Sequence, residues 1–421
     1  MEHSRLRFWP AFILTFLMTD LDFPPAPNPA SFAEETTEEE RKRAVEEYFE
    51  TVRKGAEEAR EKLLSGAPCK VPEDFPLSVV SVSVDPVYAS MLKPQTEGWL
   101  GSDVGYSIPL SETRTLWLFG DTFIGSIESG KRKEGASFIN NSVGIEDRTQ
   151  SPPGNVTYYW TQENGQNRSF FPHRPGTAGS LYWPTMGTLL GDGLFILCYP
   201  ISAGGKGEWI PDTTVIRVRN PQESPADWDW DAYDLGLGNS RQGFHSALWK
   251  EPPFLYFLGR DHAAMVLARA RIEDLLAGGK KEVFEFWVKG SDGPEWGSAP
   301  TNLVPLFGPA NTETGLQYEP EWGLFLCTTY SASDPDIYLT TAPSLTGPWS
   351  EPACIYRVPE HAVSFPIISY AVRPHPQLST KPGEMVITYE TNAPGDTSPL
   401  FTEEGLQIYY PRFIRVQLEK K

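Results

Sequence analysis

One short unit recurs along this chain and leaves few folds open to it. Two apolar strands joined by a tight polar turn appear five times, at residues 104–110 with 115–120, 187–190 with 194–199, 245–249 with 254–259, 315–318 with 324–330, and 369–373 with 385–391. A third strand follows each hairpin, at 138–146, 214–219, 266–272, 337–341 and 412–418. Four of the units then supply a fourth, at 156–162, 228–235, 283–288 and 354–358. The fifth has none of its own and can borrow residues 78–84 from the start of the domain. A lone hairpin cannot bury its apolar face, whereas stacked repeats bury a continuous core. Five four-stranded units, the last completed by an N-terminal strand, predict an all-β fold, a five-bladed β-propeller over 76–418 with no open sheet edge.

The pattern changes before residue 76. Val45, Tyr48, Phe49, Val52, Ala56, Ala59, Leu63 and Leu64 recur at three- and four-residue spacing among charged residues. This predicts a short N-terminal amphipathic helix within a helix-and-linker segment, 34–75. Thr37 and Glu40 form a capping box and Gly66 ends the helix. Val45, Phe49, Val52 and Ala56 are expected to pack on the propeller's outer side near the closing strand. Farther forward, Arg5 and Arg7 precede an apolar run over 8–18 and a Ser31-Phe32-Ala33 site. That reads as a signal peptide over 1–33 and a secreted protein, and the run is too short to span a bilayer. Asn140, Asn155 and Asn167 begin sequons compatible with that route.

The formal charge of −19 repels a phosphate backbone and disfavours nucleic acid as a partner, while neutral sugars are compatible with it. Neither a membrane nor a second copy of the chain is implied. Cys69, Cys198, Cys327 and Cys354 show no C-x-x-C spacing, which excludes a zinc ribbon or a thioredoxin-type site. Two disulfides fit the even count. Buried free thiols fit Cys198 and Cys327 equally well, because both lie in apolar strands. No Gly-rich loop opens a helix and no G-x-S-x-G stands between strand and helix, so no cofactor and no serine-hydrolase triad is expected.

The first hairpin turns near 111–113, which sets Asp103 opposite Asp121. Opposed residues on antiparallel strands lie about 5 Å apart at Cβ and on one side of the sheet. Two carboxylates that close push one proton affinity up and leave the other group ionised, which acid/base catalysis requires. Matching positions on the other units offer Trp183, His245, Arg260 beside Asp261, Tyr330 beside Ser331, and Asn392. His375 follows the fifth inner strand, and Asn140 and Asn141 open the third strand of the first unit. Aromatic surfaces and a few polar groups at a channel mouth suit a sugar. A carbohydrate-binding module without catalysis would use the same rim. A metal-dependent lactonase or phosphoesterase would draw its ligands from Asp103, Asp121, Asn392 and His245.

Gly101-Ser-Asp-Val-Gly-Tyr-Ser-Ile-Pro-Leu110 followed by Thr115-Leu-Trp-Leu-Phe-Gly-Asp-Thr-Phe-Ile-Gly125 resembles a bacterial and fungal family that includes endo-D-arabinanases. Phe138-Ile-Asn-Asn-Ser-Val143, Tyr182-Trp-Pro184, Leu345-Thr-Gly-Pro-Trp-Ser350, Tyr370-Ala-Val-Arg-Pro-His-Pro376 and Tyr410-Pro-Arg-Phe413 extend the likeness over nearly all of 76–418. The resemblance implies a glycoside hydrolase cleaving furanoside linkages of an arabinan-like polysaccharide or oligosaccharide. It puts the two catalytic aspartates on Asp103, as base, and Asp121, as acid. Met186 follows Trp-Pro-Thr where many glycosidase propellers carry an acid, so a third carboxylate remains unassigned.

Overall fold

The computed structural model describes residues 38–150, 152–201, 212–237, 242–331 and 334–421. The predicted leader and Thr37 of the capping box lie outside them. Five antiparallel sheets follow one another along the chain, here blades one to five. Blade one is Tyr106–Pro109, Arg114–Phe119, Ser142–Asp147 and Asn155–Tyr159. Blade two is Leu181–Leu190, Gly193–Ile201, Thr214–Val218 and Trp230–Asp234. Blade three is Gln242–Glu251, Phe254–Asp261, Ala264–Arg271 and Phe284–Lys289, with Pro294–Gly297 added at its edge. Blade four is Gly315–Glu319, Leu324–Tyr330, Asp336–Ala342 and Ala353–Arg357. Blade five is Ile368–Pro374, Glu384–Asn392, Arg412–Lys420 and the N-terminal strand Leu77–Val84, which pairs with Arg412–Lys420.

Each blade touches the next. Asn141 Nδ2 of blade one donates to the Tyr182 carbonyl of blade two at 3.0 Å. The Tyr199 and His245 rings join blades two and three edge to face, 3.9 Å between centroids. Trp249 meets Phe325 across blades three and four at 5.2 Å. Thr328 Oγ1 donates to the Val372 carbonyl at 2.7 Å, joining four to five. His375 Nδ1 and Ser107 Oγ, 2.5 Å apart, join five back to one. The result is a propeller-like ring. Its apolar residues lie in clusters between neighbouring blades, as sheets packed face to face require.

The first hairpin differs from its expected form in one respect that matters. Its two strands do not end at the rim but continue as Glu97–Ser102 and Thr122–Glu128 into a second small sheet with Lys131–Arg132 and Ser137–Ile139. The joint between the sheets is Asp103-Val104-Gly105. Val104 sits at φ 77°, a costly conformation for a β-branched residue, and Gly101 at φ 125°. A Cβ at Gly101 would lie 2.2 Å from the Tyr409 carbonyl, so only glycine passes there. The buried Arg132 anchors the upper sheet. Its guanidinium donates to the carbonyls of Leu100, Leu400, Gly405 and Ile408 at 2.8–3.0 Å.

The helix Glu38–Leu64 precedes the first strand. Phe49, Val52 and Ala56 are buried in the cluster shared by blades four and five, which also holds Leu77 of the closing strand. The side chain of Val45 lies outside the described residues. Arg60 Nε donates to the Val363 carbonyl at 3.1 Å, and Lys62 Nζ stands 2.6 Å from Asp334 Oδ2 and 3.0 Å from Asp336 Oδ2. A disulfide between Cys69 and Cys354 then pins the linker to blade four, while Cys198 and Cys327 are buried free thiols. The helix therefore reaches the loops that join blades four and five, rather than lying along the flank alone. Removing residues 1–66 exposes the surface under Phe49 and Val52, at a cost of roughly 3–6 kcal/mol. A lower denaturation midpoint is the expected result. An unchanged midpoint would show that the helix contributes nothing to the ring's stability.

Candidate active site

The register that faces Asp103 with Asp121 is present. Tyr106 pairs with Leu118 below the joint, and Ser102 pairs with Thr122 above it. Between them the Asp103 N–H donates to the Asp121 carbonyl at 3.2 Å, and the Gly120 N–H donates to the Asp103 carbonyl at 3.1 Å. Both side chains are buried, 6% and 4% exposed. Gly120 makes room for them, since a Cβ there would stand 2.2 Å from Asp103 Oδ1. The Gly-Asp-Thr segment is thus a space requirement as well as a turn signal.

The two carboxyl groups live in different surroundings. Asp121 Oδ1 accepts a hydrogen bond from Trp183 Nε1 at 2.7 Å and one from Asn140 Nδ2 at 3.2 Å. Burial pushes its carboxyl up to about 7, and those two donors hold it from going higher. Asp103 is helped less: among the described residues no donor reaches its buried Oδ1, and the backbone N–H groups of Asp121 and Asp103 that do reach its carboxyl lower it by less than burial raises it. Burial first, then the charges of Asp121 and Glu313, hold Asp103 well above the ordinary carboxylate range. Of the two, Asp103 is the group kept protonated.

The other predicted residues divide. Trp183 of blade two reaches the aspartates directly. His245 is buried edge-on against Tyr199, and burial followed by the nearby Arg260 charge keeps it neutral. Asn392 pairs with Ile368 at the rim end of blade five, where Tyr370 is also buried. Three expected substrate contacts are corrected by their surroundings. Asn141 spends its amide on the Phe171 and Tyr182 carbonyls and the Phe171 N–H, which makes it a strut between blades; Asn140 is the one that meets Asp121. Tyr330 lies in the apolar cluster beneath the helix. His375 bonds Ser107 and Thr388 with its two ring nitrogens, and burial and Arg373 lower it to about 3.

Sequence reasoning missed the rest of the ring's inner acids and cations. Glu313 and Glu390 are fully buried, and the charges of both act on Tyr370, as does that of Asp103. Glu390 is held well above its usual range by burial, Asp103 and Glu313. Arg373 approaches Glu313 at 3.9 Å, donates to the Thr314 carbonyl at 3.1 Å, and lies 5.1 Å from the Tyr106 ring. The signal for Glu313 was available: it stands just ahead of the fourth inner strand, as Asp103 stands ahead of the first. Among the described residues, no three His, Cys, Asp or Glu side chains are placed to hold a metal ion.

A carboxyl whose proton affinity is higher folded than unfolded stabilises the fold fully below its unfolded value, and that stability is lost as pH rises through the folded value. For Asp121 the window runs from about 4 to about 7. Asp121→Asn should therefore gain stability relative to wild type on going from pH 4 to pH 8, measured by thermal melts at both. A difference independent of pH would mean that Asp121 titrates normally.

A family model described as a domain of unknown function, DUF5005, matches residues 85–418. No curated protein matches the sequence. Among solved structures, a putative hydrolase from Bacteroides ovatus is similar with a TM-score of 0.65 at 18% identity, covering 83% of this chain and 96% of that one. An exo-beta-1,3-galactanase from Phanerochaete chrysosporium is similar at TM-score 0.43 and 11% identity, over 81% of this chain and 64% of that one. A GH43 beta-xylosidase/alpha-arabinofuranosidase from a compost metagenome gives 0.39 and 10%, over 78% and 94%. The first likeness is one of fold. The family match runs from the residue after the closing strand to the last strand of blade five and takes in every inner strand and both aspartates, and on that match the chain belongs to the DUF5005 family.

Proposed function

We propose that this protein is a secreted five-bladed propeller glycoside hydrolase that cleaves furanoside linkages of an arabinan-like polysaccharide. The observation that carries the proposal is the asymmetric pair of two buried, backbone-linked aspartates. Asp121 is hydrogen-bonded by the Trp183 and Asn140 side chains, and Asp103 is reached by backbone N–H groups, with its Oδ1 meeting no donor among the described residues. Glycoside hydrolysis needs one carboxyl group protonated to assist the leaving oxygen and one ionised to activate water or attack the anomeric carbon. Environments that push two carboxyl groups apart assign those roles. Here they make Asp103 the acid and Asp121 the base or nucleophile. This reverses the order that the resemblance implies, because the indole and amide donors stand on Asp121. The charges of Asp121 and Glu313 then join burial in keeping Asp103 protonated. The Cys69–Cys354 disulfide suits an oxidising compartment and supports secretion.

Incubation with a panel of arabinans and related neutral glycans, followed by analysis of released sugars, tests the activity. Asp103→Asn and Asp121→Asn should each lower turnover about 10²–10⁴-fold, and near wild-type turnover removes that residue from the mechanism. Saturable binding with no sugar released would make the protein a binding module instead.

The acid limb of the pH–rate profile should follow Asp121, with kcat/KM rising as pH passes about 7. Trp183→Phe removes a hydrogen bond that favours the ionised form, so that limb should move to higher pH. A limb that stays in place while activity falls would limit Trp183 to a packing role.

A further inference from the structure

The inner strands of the blades begin at the rim that holds Asp103 and end at hairpin turns on the opposite end of the ring. At that far end, between blades three and four, lies an open groove of about 530 Å³. Its walls carry Trp249, Tyr256, Trp296 and Tyr318, with Arg269 and Glu251 among them and Ser344 and Thr346 along one side. Trp249 and Tyr256 are cross-strand partners beside the turn of blade three, and Tyr318 stands near the turn of blade four. None of these residues contributes to the aspartate site.

We propose that this groove is a second carbohydrate-binding site, one that holds a neutral polysaccharide while the opposite rim acts on it. The inference rests on the glycosidase reading above. Three features choose the occupant. First, the aromatic rings are inclined rather than stacked face to face: Trp249 and Tyr318 lie 5.9 Å apart at 55°, and Tyr256 and Trp296 lie 6.1 Å apart at 58°. Although these rings also pack on Phe325, Trp287 and Arg269, Trp249, Tyr256 and Trp296 are half-buried and Tyr318 is 38% exposed, so aromatic surface still meets solvent in the groove. Second, the groove's cation is already neutralised. Arg269 lies between the Phe254 and Trp296 rings at 4.2 and 4.0 Å, and its Nε is 2.7 Å from Glu285 Oε2. With Glu251 exposed beside it, the groove offers no surplus positive charge to an anion. Third, hydroxyl and carboxylate groups border the rings, giving the hydrogen-bonding edge that a sugar ring needs once its apolar face is stacked. The volume lies within the roughly 300–1,000 Å³ of small-ligand sites, room for a short stretch of a chain.

The test uses the full chain carrying both Asp103→Asn and Asp121→Asn, so that polymer binds without being cut, with soluble neutral arabinan as the probe in titration calorimetry. Adding Tyr318→Ala and Trp296→Ala should weaken arabinan binding about tenfold or more. Adding Thr346→Arg instead, which fills the groove and leaves its aromatic rings in place, should do the same. With the aspartates intact, the groove variants should cleave a short chromogenic arabinofuranoside as fast as wild type while losing rate on the polymer. Arabinan affinity unchanged in both groove variants, with hydrolysis intact in the parent, overturns this inference alone. No neutral glycan binding to the silenced protein overturns it together with the hydrolase reading. Preference of the groove for an anionic pectic fragment over arabinan also overturns it.

Discussion

The ring depends on one pairing, the addition of Leu77–Val84 to Arg412–Lys420. Without it blade five would end on an exposed edge, and nothing would fix the start of the domain to its finish. A side-chain latch follows at once. Buried Asp85 takes the N–H groups of Val87 and Tyr88 on one oxygen and Arg415 Nε at 2.7 Å on the other, and Arg415 also reaches Glu384 at 2.6 Å. Closure places the start of every inner strand at one rim. That is why Asp103 from blade one, Trp183 from two, His245 from three, Glu313 from four and Glu390 from five converge although long stretches of chain separate them.

Convergence carries an electrostatic cost. Carboxyl groups gathered out of water disfavour one another's ionised forms, and each is costly unless protonated or paired. The ring manages this locally. Arg373 stands beside Glu313, Asp121 has its two donors, and Asp103 and Glu390 are pushed towards their neutral forms. The strained backbone at Val104 belongs to the same account. Strain of about 1–3 kcal/mol persists only where the surroundings over-determine it. Here the sheets above and below the joint, with Arg132 holding the upper one, supply that constraint.

Most of the architecture was legible because it follows from periodicity. The hairpins, the third and fourth strands and the borrowed closing strand all reflect apolar runs bounded by turn residues. The Asp103–Asp121 pairing was legible because the turn near 111–113 fixes register. What escaped has equally physical causes. The second sheet above blade one escaped because Gly101, Val104 and Gly105 interrupt the strand, and positive φ at a valine leaves no mark in composition. Asn141 and Tyr330 were misjudged because position along a strand locates the rim, yet does not say whether a side chain faces the channel or the neighbouring blade. His375 was misjudged because it follows the inner strand and so stands toward the hairpin turn, away from the rim. Asn141 and His375 became inter-blade struts, and Tyr330 turned into the core beneath the helix. Glu313 escaped because only the ends of the fourth hairpin were compared, and not the residues ahead of it.

The division of labour between the aspartates is a property of the ring rather than of blade one. Within their own hairpin Asp103 and Asp121 are near equivalents, paired through the backbone and buried alike. Blade two breaks that symmetry, because the Trp183 indole reaches across to Asp121 at 2.7 Å, while Asp103 Oδ1 meets no donor among the described residues. Blade four breaks it further, with Glu313 adding negative charge on the Asp103 side. A hydrogen bond to the charged form and like charge beside the neutral form act in the same sense. Ring closure therefore fixes which carboxyl keeps its proton, and a hairpin with the same two aspartates outside the ring would have no means of telling them apart.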